Sequence, residues 1–309
     1  MNIKKIEGAA LIALGAASYG ILATIVKFAN NQGVHTSLLI FAQFSIGLLF
    51  LFCYSKIKGS SATKTNNNDK KGKLKLLLFG TSLGMTSCFY YLSIRYIPVS
   101  VGIILLMQTI WMSIIWEAFS QKTPVSLSKI VGAGLIIVGT LLATNIFSQR
   151  VDLNWKGIVL GLLAACCYTI SMHASNHVAS NLDSHTRSKY LIAGGMMIVL
   201  LFWNTDILQY FDWLPFLKWG VVLALFGTIL PPLLFTKGMP MTGMALGGII
   251  AAVEIPISIL SAHLILGEAV SWVQWAGVAL ILSSVIVINL KTFYQPQIHN
   301  SKLVDSQKL

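Results

Sequence analysis

The sequence predicts an all-α membrane protein with ten transmembrane helices, built as two inverted five-helix repeats. Three observations predict this. The chain is too apolar for water: 309 residues are 55% hydrophobic and 10% charged, with a mean hydropathy of +0.75. A soluble domain carries about 25% charge. Its apolar runs have membrane-crossing length. Its two halves repeat, with an odd number of runs in each. Water-soluble enzymes and DNA-binding modules are excluded by composition alone.

A crossing helix needs about 20 mostly apolar residues. Runs of that kind fall at 6–29, 36–55, 73–93, 97–118, 128–147, 155–178, 187–204, 216–236, 241–263 and 270–290. The first follows Lys4 and Lys5 and exceeds the 7–15 apolar residues of a signal peptide, so it reads as a retained span. The second ends on Lys56 and Lys58, and residues 56–75 read as a flexible basic loop. Arg95 and Pro98 make a tight turn between the third and fourth. The seventh is the weakest, since it opens with Arg187, Lys189 and Tyr190. Pro231 and Pro232 predict a kink in the eighth, with freed carbonyls facing protein or a cavity. Pro256 in the ninth removes a backbone hydrogen bond and frees the carbonyl of residue 252. Residues 291–309 read as a tail. Alternating strand patterns are absent, which argues against a β-barrel.

The net charge of +12 resembles a nucleic-acid signature until it is placed. With the N-terminus in the cytoplasm, 17 of the 22 Lys and Arg residues fall on cytoplasmic segments. Arg95, Arg150, Lys156 and Lys218 fall outside, and Lys27 falls within the first span. This bias is the positive-inside pattern, and it puts both termini in the cytoplasm. The densest basic stretch, 56–75, holds Ser61, Thr63 and Asn66 to Asn68 but no aromatic stacking platform, so it suits anionic lipid rather than nucleic acid. Trp155, Trp203, Trp213, Trp219, Trp272 and Trp275 near outer span ends, and Trp116 near an inner one, read as interface anchors. Cys53, Cys88, Cys166 and Cys167 all lie in spans and read as small buried hydrophobes.

The repeat shows in the openings of spans one and six. Gly8, Ala17-Ser18 and Tyr19 sit 149 positions before Gly157, Cys166-Cys167 and Tyr168. Val125-Ser126 and Gly132 sit 145 positions before Val270-Ser271 and Gly277, and Gly102-Ile103-Ile104 likewise precedes Gly247-Gly248-Ile249. The halves are 1–147 and 155–290. Five spans per half is odd, so the second copy inserts upside down. Inverted repeats are a common plan of secondary transporters, with substrate bound near midplane between the repeats. Gly80 with Gly84, Gly157 with Gly161, and Gly243 with Gly247 read as ordinary close helix packing.

Polar groups at that depth mark a pathway. Tyr19, Gln108, Thr109, Tyr168 and Glu254 lie near span centres, and the 145 offset pairs Thr109 with Glu254 and Trp111 with Pro256. Glu254 is the one acidic residue deep in the membrane. A charge there costs roughly 2.5–3.5 kcal/mol on insertion scales. Taking up a proton relieves that cost. Three readings stay open: Glu254 carries a coupling proton, binds an amine, or pairs with a neighbouring donor. Lys27 either snorkels to the headgroups or lines the pathway. His173 reads as a ligand, a titrating group or a satisfied interior histidine. Tyr91 reads as the inward-facing member of the Tyr90–Tyr91 pair. Trp111 shares a face with Gln108 and either stacks substrate or packs on lipid.

These features resemble the EamA-type transporters of the drug/metabolite transporter superfamily. Gly8 to Tyr19, Gly157 to Tyr168, and Leu266-Gly267-Glu268 carry the resemblance, over about residues 6–290. It implies a ten-helix bundle around a central cavity, both termini cytoplasmic, moving small metabolites or amino acids, often outward. Mapped onto spans one, three, four, six, eight and nine, it makes Tyr19, Tyr91, Gln108, Trp111, Tyr168, His173 and Glu254 candidate liners, with Thr109 beside them. Thr123 stands where the first half's counterpart of Glu268 belongs, so Glu268 reads as a loop or capping element.

The expected function is a secondary transporter of the cell membrane, exporting a small metabolite or amino-acid-like solute by alternating access. Glu254 is the coupling group. A multidrug or cation exporter and a non-transporting scaffold or sensor are the alternatives. No enzyme activity, cofactor or metal is expected: no Asp lies in a span, and no GxxxxGK[ST] loop is present to bind ATP. Small solute and lipid are the expected partners, and a monomer and a homodimer both fit.

Overall fold

The computed structural model describes residues 3–58, 67–97, 99–121, 126–144, 146 and 154–294. Among these residues every regular element is a helix. The helices are α1 (Ile3–Asn31), α2 (Thr36–Lys58), α3 (Asn67–Ser93), α4 (Val99–Leu106), α5 (Thr109–Gln121), α6 (Leu127–Ala143) and α7 (Trp155–His177). They continue with α8 (Ser184–Tyr210), α9 (Trp213–Leu223), α10 (Leu230–Thr242), α11 (Met244–Ala251), α12 (Glu254–Leu266) and α13 (Trp272–Tyr294). A π-helical turn, Ala224–Ile229, joins α9 to α10.

Among the described residues eight segments are long and apolar enough to cross a membrane, with α4–α5, α9–α10 and α11–α12 each counting as one. Two further apolar helices, Leu127–Ala143 and Trp272–Ile288, are shorter. At 1.5 Å per residue, α6 rises about 25 Å, less than a hydrocarbon core of about 30 Å. These two pack on each other, with Gly132 against Ile288 and Gly139 against Ile281. The outer surface is apolar: Leu14, Leu49, Phe119, Leu201 and Leu264 are all exposed. Such a surface is solvated by lipid, and helices satisfy their own backbone there.

The bundle has two recognisable ends. At one, Lys237 donates to Glu7 at 3.0 Å, and Gly8 lies against Gly238 and Met241. At the other, Lys27 pairs with Glu268 in the α12–α13 turn. Ile12, Ile110, Met239, Met244 and Ile249 pack together as part of one buried apolar cluster. Ile12 lies seven residues before Tyr19, about 10 Å nearer the Glu7 end. On the other side of the bundle, α3 crosses α8 so closely that Gly80 faces the Leu191 backbone and Gly194 the Leu77 carbonyl, leaving no room for a Cβ.

Several elements differ from expectation. The weak seventh span is a 27-residue helix, α8. Its Arg187 is 2% exposed and donates from Nε to Val178 O (3.1 Å), from Nη1 to Thr236 O (2.7 Å), and from Nη2 to Ala174 O (3.2 Å) and Ser175 O (2.7 Å). Those carbonyls sit at the end of α7 and in α10, so a charge that marked this span as the weakest is a staple that holds it. Trp203 is buried at a kink in α8, with the Arg95 guanidinium 5.3 Å from its ring, and is no interface anchor; Trp155, Trp213 and Trp272 are exposed. The basic loop is shorter than 56–75. α2 runs to Lys58, where cations complement the helix C-terminus, and α3 begins at Asn67. Likewise α13 continues to Tyr294, beyond the expected start of the tail. Cys88 and Cys167 are buried, whereas Cys53 and Cys166 are exposed, and all four are free thiols. Pro98, Thr123, residues 59–66 and the tail from 295 lie outside the described residues.

Candidate functional site

Three membrane segments are interrupted part-way along. The ninth breaks at 252–253, between α11 and α12. Pro256 offers no N–H to the Ala252 carbonyl, and the chain answers with a tighter turn in which Ile255 N–H donates to Ala252 O at 3.2 Å. Glu254 is then the first residue of α12. A carboxylate suits that position, where the helix dipole is positive. The eighth segment breaks at the π turn before Pro231 and Pro232. Ser18 Oγ donates to the Phe226 carbonyl at 2.9 Å, while Thr228 Oγ1 reaches Gln43 O at 2.8 Å.

The third break, at 107–108 in the fourth segment, has no proline. Here Gln108 N–H turns to Leu105 O, which strands the Ile104 carbonyl. The Gln108 side chain replaces the lost donor, Nε2 to Ile104 O at 2.9 Å, and its Oε1 accepts from Trp111 Nε1 at 2.7 Å. The two broken helices correspond residue for residue. Val99 and Met244, Leu106 and Ala251, Thr109 and Glu254, and Gln121 and Leu266 are each 145 positions apart.

The breaks surround a cavity of ≈ 140 Å³. Its walls include Tyr19, Tyr90, Tyr91, Tyr168, Gln43, Thr228 and Glu254. Tyr19 meets Tyr168 edge-on, with ring centroids 6.4 Å apart, and Tyr90 meets Tyr91 the same way at 5.8 Å. Among the described residues no Lys, Arg or His lines the cavity, and Glu254 is the one carboxyl in an aromatic chamber. Among the described residues that line it, Glu254 Oε2 and Tyr168 Oη are buried without a hydrogen-bond partner. Buried polar atoms are nearly always paired, so such exceptions point to function or to an absent ligand.

A second cavity, ≈ 450 Å³, is walled by Lys27, Asn30, Thr144, Glu268 and Gln274 toward the Lys27 end. Ala23, Tyr90, Tyr91, Ile103, Ile255 and Ser258 line both cavities. The two cavities therefore adjoin along a wall that carries Tyr90 and Tyr91, and the second, here the vestibule, lies toward the Lys27 end.

Of the expected site residues, Tyr19, Tyr91, Tyr168 and Glu254 meet around the chamber. The other four lie elsewhere. Gln108 and Trp111 hold the α4–α5 break, and Trp111 is 39% exposed on the outer surface. Thr109 is buried and bonded to Thr169 Oγ1 at 2.8 Å, in the seam between α5 and α7. His173 accepts from Trp116 Nε1 at 2.9 Å and stacks on His177. Lys27 proves to be a vestibule wall paired with Glu268, not a free snorkelling group. Tyr90 lines the chamber as Tyr91 does, so the choice of one inward-facing member of the pair does not hold, and sequence reasoning also missed Gln43 and Thr228. The signal for Gln43 was available, as a lone amide in an otherwise apolar span.

Comparison with known proteins agrees with this architecture. The sequence model of the EamA-like transporter family matches residues 6–145 and again 155–290. The threonine/homoserine exporter RhtA of Salmonella typhimurium, from strains SL1344 and LT2, is 22% identical over 232 residues, covering 74% of this chain and 75% of the exporter. One crystal structure superposes with a TM-score of 0.72 at 14% identity, covering 94% of this chain and 98% of the other, which shows a shared fold. The chain belongs to the EamA-like transporter family and is a multi-pass membrane transporter.

Proposed function

We propose that this transporter exports a small amine-bearing, amino-acid-like solute from the cytoplasm by alternating access. The observation that carries the reading is the pair of unpartnered buried atoms that line the chamber, Glu254 Oε2 at the α11–α12 break and Tyr168 Oη on α7. A solute amine supplies donors to the carboxylate, and the tyrosine rings enclose its positive charge. Tyr19, Tyr91 and Tyr168 shape the seat, joined by Gln43 and Thr228. Glu254 exchanges a proton for the amine, which couples export to the proton gradient. Gln108, Thr109, Trp111 and His173 support the walls from outside. The relationship to an exporter of threonine and homoserine supports both direction and solute class.

The reading includes ten spans as two inverted halves, 1–147 and 155–290, with both termini, the basic loop and the tail in the cytoplasm. The 145-position coincidence of the broken helices supports the duplication. The Lys27 end is then external and the described conformation faces outward, with the vestibule open and the Glu7 end closed. A cation exporter is the second reading. It is favoured by the same chamber, whose described walls offer four tyrosines and a carboxyl but, among the described residues, no cationic side chain to meet a solute carboxylate. Efflux from loaded proteoliposomes tests both: threonine and homoserine leave in a Glu254-dependent manner under the first, and quaternary ammonium dyes replace them under the second.

A further inference from the structure

We propose that the vestibule holds a second binding site, formed by Lys27, Asn30 and Glu268, that takes the zwitterionic head of an amino acid. It rests on the reading of the cargo as amino-acid-like and of the Lys27 end as the external mouth.

The chamber and the vestibule divide the charges between them. Among the described residues the chamber offers a carboxyl and no cation. The vestibule offers both signs side by side, on elements from opposite halves of the chain: Lys27 and Asn30 on α1, and Glu268 in the turn after α12. Lys27 lies eight residues beyond Tyr19, about 12 Å along the helix. A single small amino acid therefore does not bridge the two sites.

The vestibule pair has unused bonding capacity. Lys27 Nζ donates to Glu268 Oε1, one of the three bonds an ammonium can give, and the two side chains are 52% and 44% exposed. Asn30 stands one turn from Lys27, on the same face of α1. Its Oδ1 accepts from Thr36 at 3.2 Å, which points the amide donors elsewhere. A carboxylate placed here receives hydrogen bonds from Lys27 and Asn30, and an adjacent ammonium donates to Glu268. Net charge in the vestibule stays unchanged on binding. A solute carrying only one of the two charges leaves one protein group unmatched, and a charged hydrogen bond is the stronger kind. The site would receive the solute as it leaves the chamber and set the external concentration at which release slows.

The same chemistry occurs in the headgroup of phosphatidylethanolamine, so the test separates lipid from solute. The measurement is equilibrium binding of radiolabelled L-threonine to the full chain in nanodiscs of phosphatidylcholine and phosphatidylglycerol. In Glu254→Gln the chamber site is lost and binding at the vestibule remains. Competition by 1-amino-2-propanol, which lacks the carboxylate, and by 3-hydroxybutyrate, which lacks the amine, is each weaker than by threonine by about tenfold or more. Asn30→Asp keeps the acceptor for Thr36 and the Lys27–Glu268 pair, yet repels a carboxylate, and it removes the remaining binding. A purely structural ion pair is indifferent to that change. Loss of all binding in Glu254→Gln, or equal binding in Asn30→Asp, overturns the vestibule site while leaving the chamber reading intact. Residual binding that depends on Asn30 with none that depends on Glu254 overturns the chamber reading alone. No threonine binding in the parent protein overturns both. If phosphatidylethanolamine added to the nanodiscs abolishes the Asn30-dependent component, the lipid headgroup is the natural occupant and the solute assignment falls.

Discussion

Glu117 Oε2 accepts a hydrogen bond from the Ala245 backbone N–H at 2.7 Å, which caps the start of α11 with a side chain from α5. Its other oxygen accepts from Lys129 of α6 at 2.6 Å. The carboxylate is buried and ties the first half of the chain to the second at the Glu7 end. The residues 145 positions on, Ala262 and Gln274, line the vestibule at the opposite end, where no such tie can form between them. In an alternating-access cycle this contact must part for the Glu7 end to open. Glu117→Ala is expected to raise the labelling rate of Met244→Cys, a position fully buried here, several-fold over the same cysteine in the parent background. The lost hydrogen bonds amount to about 1–3 kcal/mol. An unchanged labelling rate would remove Glu117 from the gating account.

Arg187 should behave as a structural staple. Arg187→Gln deprives carbonyls of α7 and α10 of their donors and is expected to lower unfolding stability by at least ~2 kcal/mol. Arg187→Lys restores the charge but not the planar fork that reaches several carbonyls together, so it recovers only part of the loss. Thermal unfolding in detergent measures both. If the two variants were equally stable, the fork geometry would be irrelevant.

Gln108 and Tyr168 separate support from contact. Gln108→Leu leaves the Ile104 carbonyl without its donor, and stability falls by about 1–3 kcal/mol. Its KM for exported solute should stay within about twofold, since a retained site keeps its binding energy. Tyr168→Phe removes only the unpartnered hydroxyl from the chamber. It costs little stability and raises KM by roughly tenfold if that hydroxyl meets the solute. A Gln108→Leu enzyme-like defect in KM with an unaffected Tyr168→Phe would reverse these roles.

Much of this was legible in the sequence because the bilayer imposes simple rules. Among the described residues the apolar runs fold as helices, eight of them long enough to cross a membrane, and lysines, tryptophans and turn residues mark their limits as the solvent boundary demands. The break at Glu254 was legible because Pro256 announces it. The matching break at 107–108 was not, since no glycine or proline stands between Ile103 and Thr123. Only the repeat offset connects the two. Gln108 looked like a binding group because it is a polar side chain deep in lipid; in the structure its Nε2 serves the broken backbone and its Oε1 accepts from Trp111. Arg187 and Trp203 misled through position alone. Which face of a helix meets a partner depends on packing, and the uniformly apolar runs carry little amphipathic signal to reveal it.

The central claim is that Glu254 binds the solute and couples its export. The most direct test is efflux of radiolabelled threonine from proteoliposomes, with and without an imposed proton gradient, for the parent protein and Glu254→Gln. The account predicts Glu254-dependent efflux that the gradient accelerates in the parent. In Glu254→Gln the rate falls by about 100-fold or more, as when a charged contact at a site is removed, and the residual rate ignores the gradient. Normal, gradient-driven efflux from Glu254→Gln would contradict it.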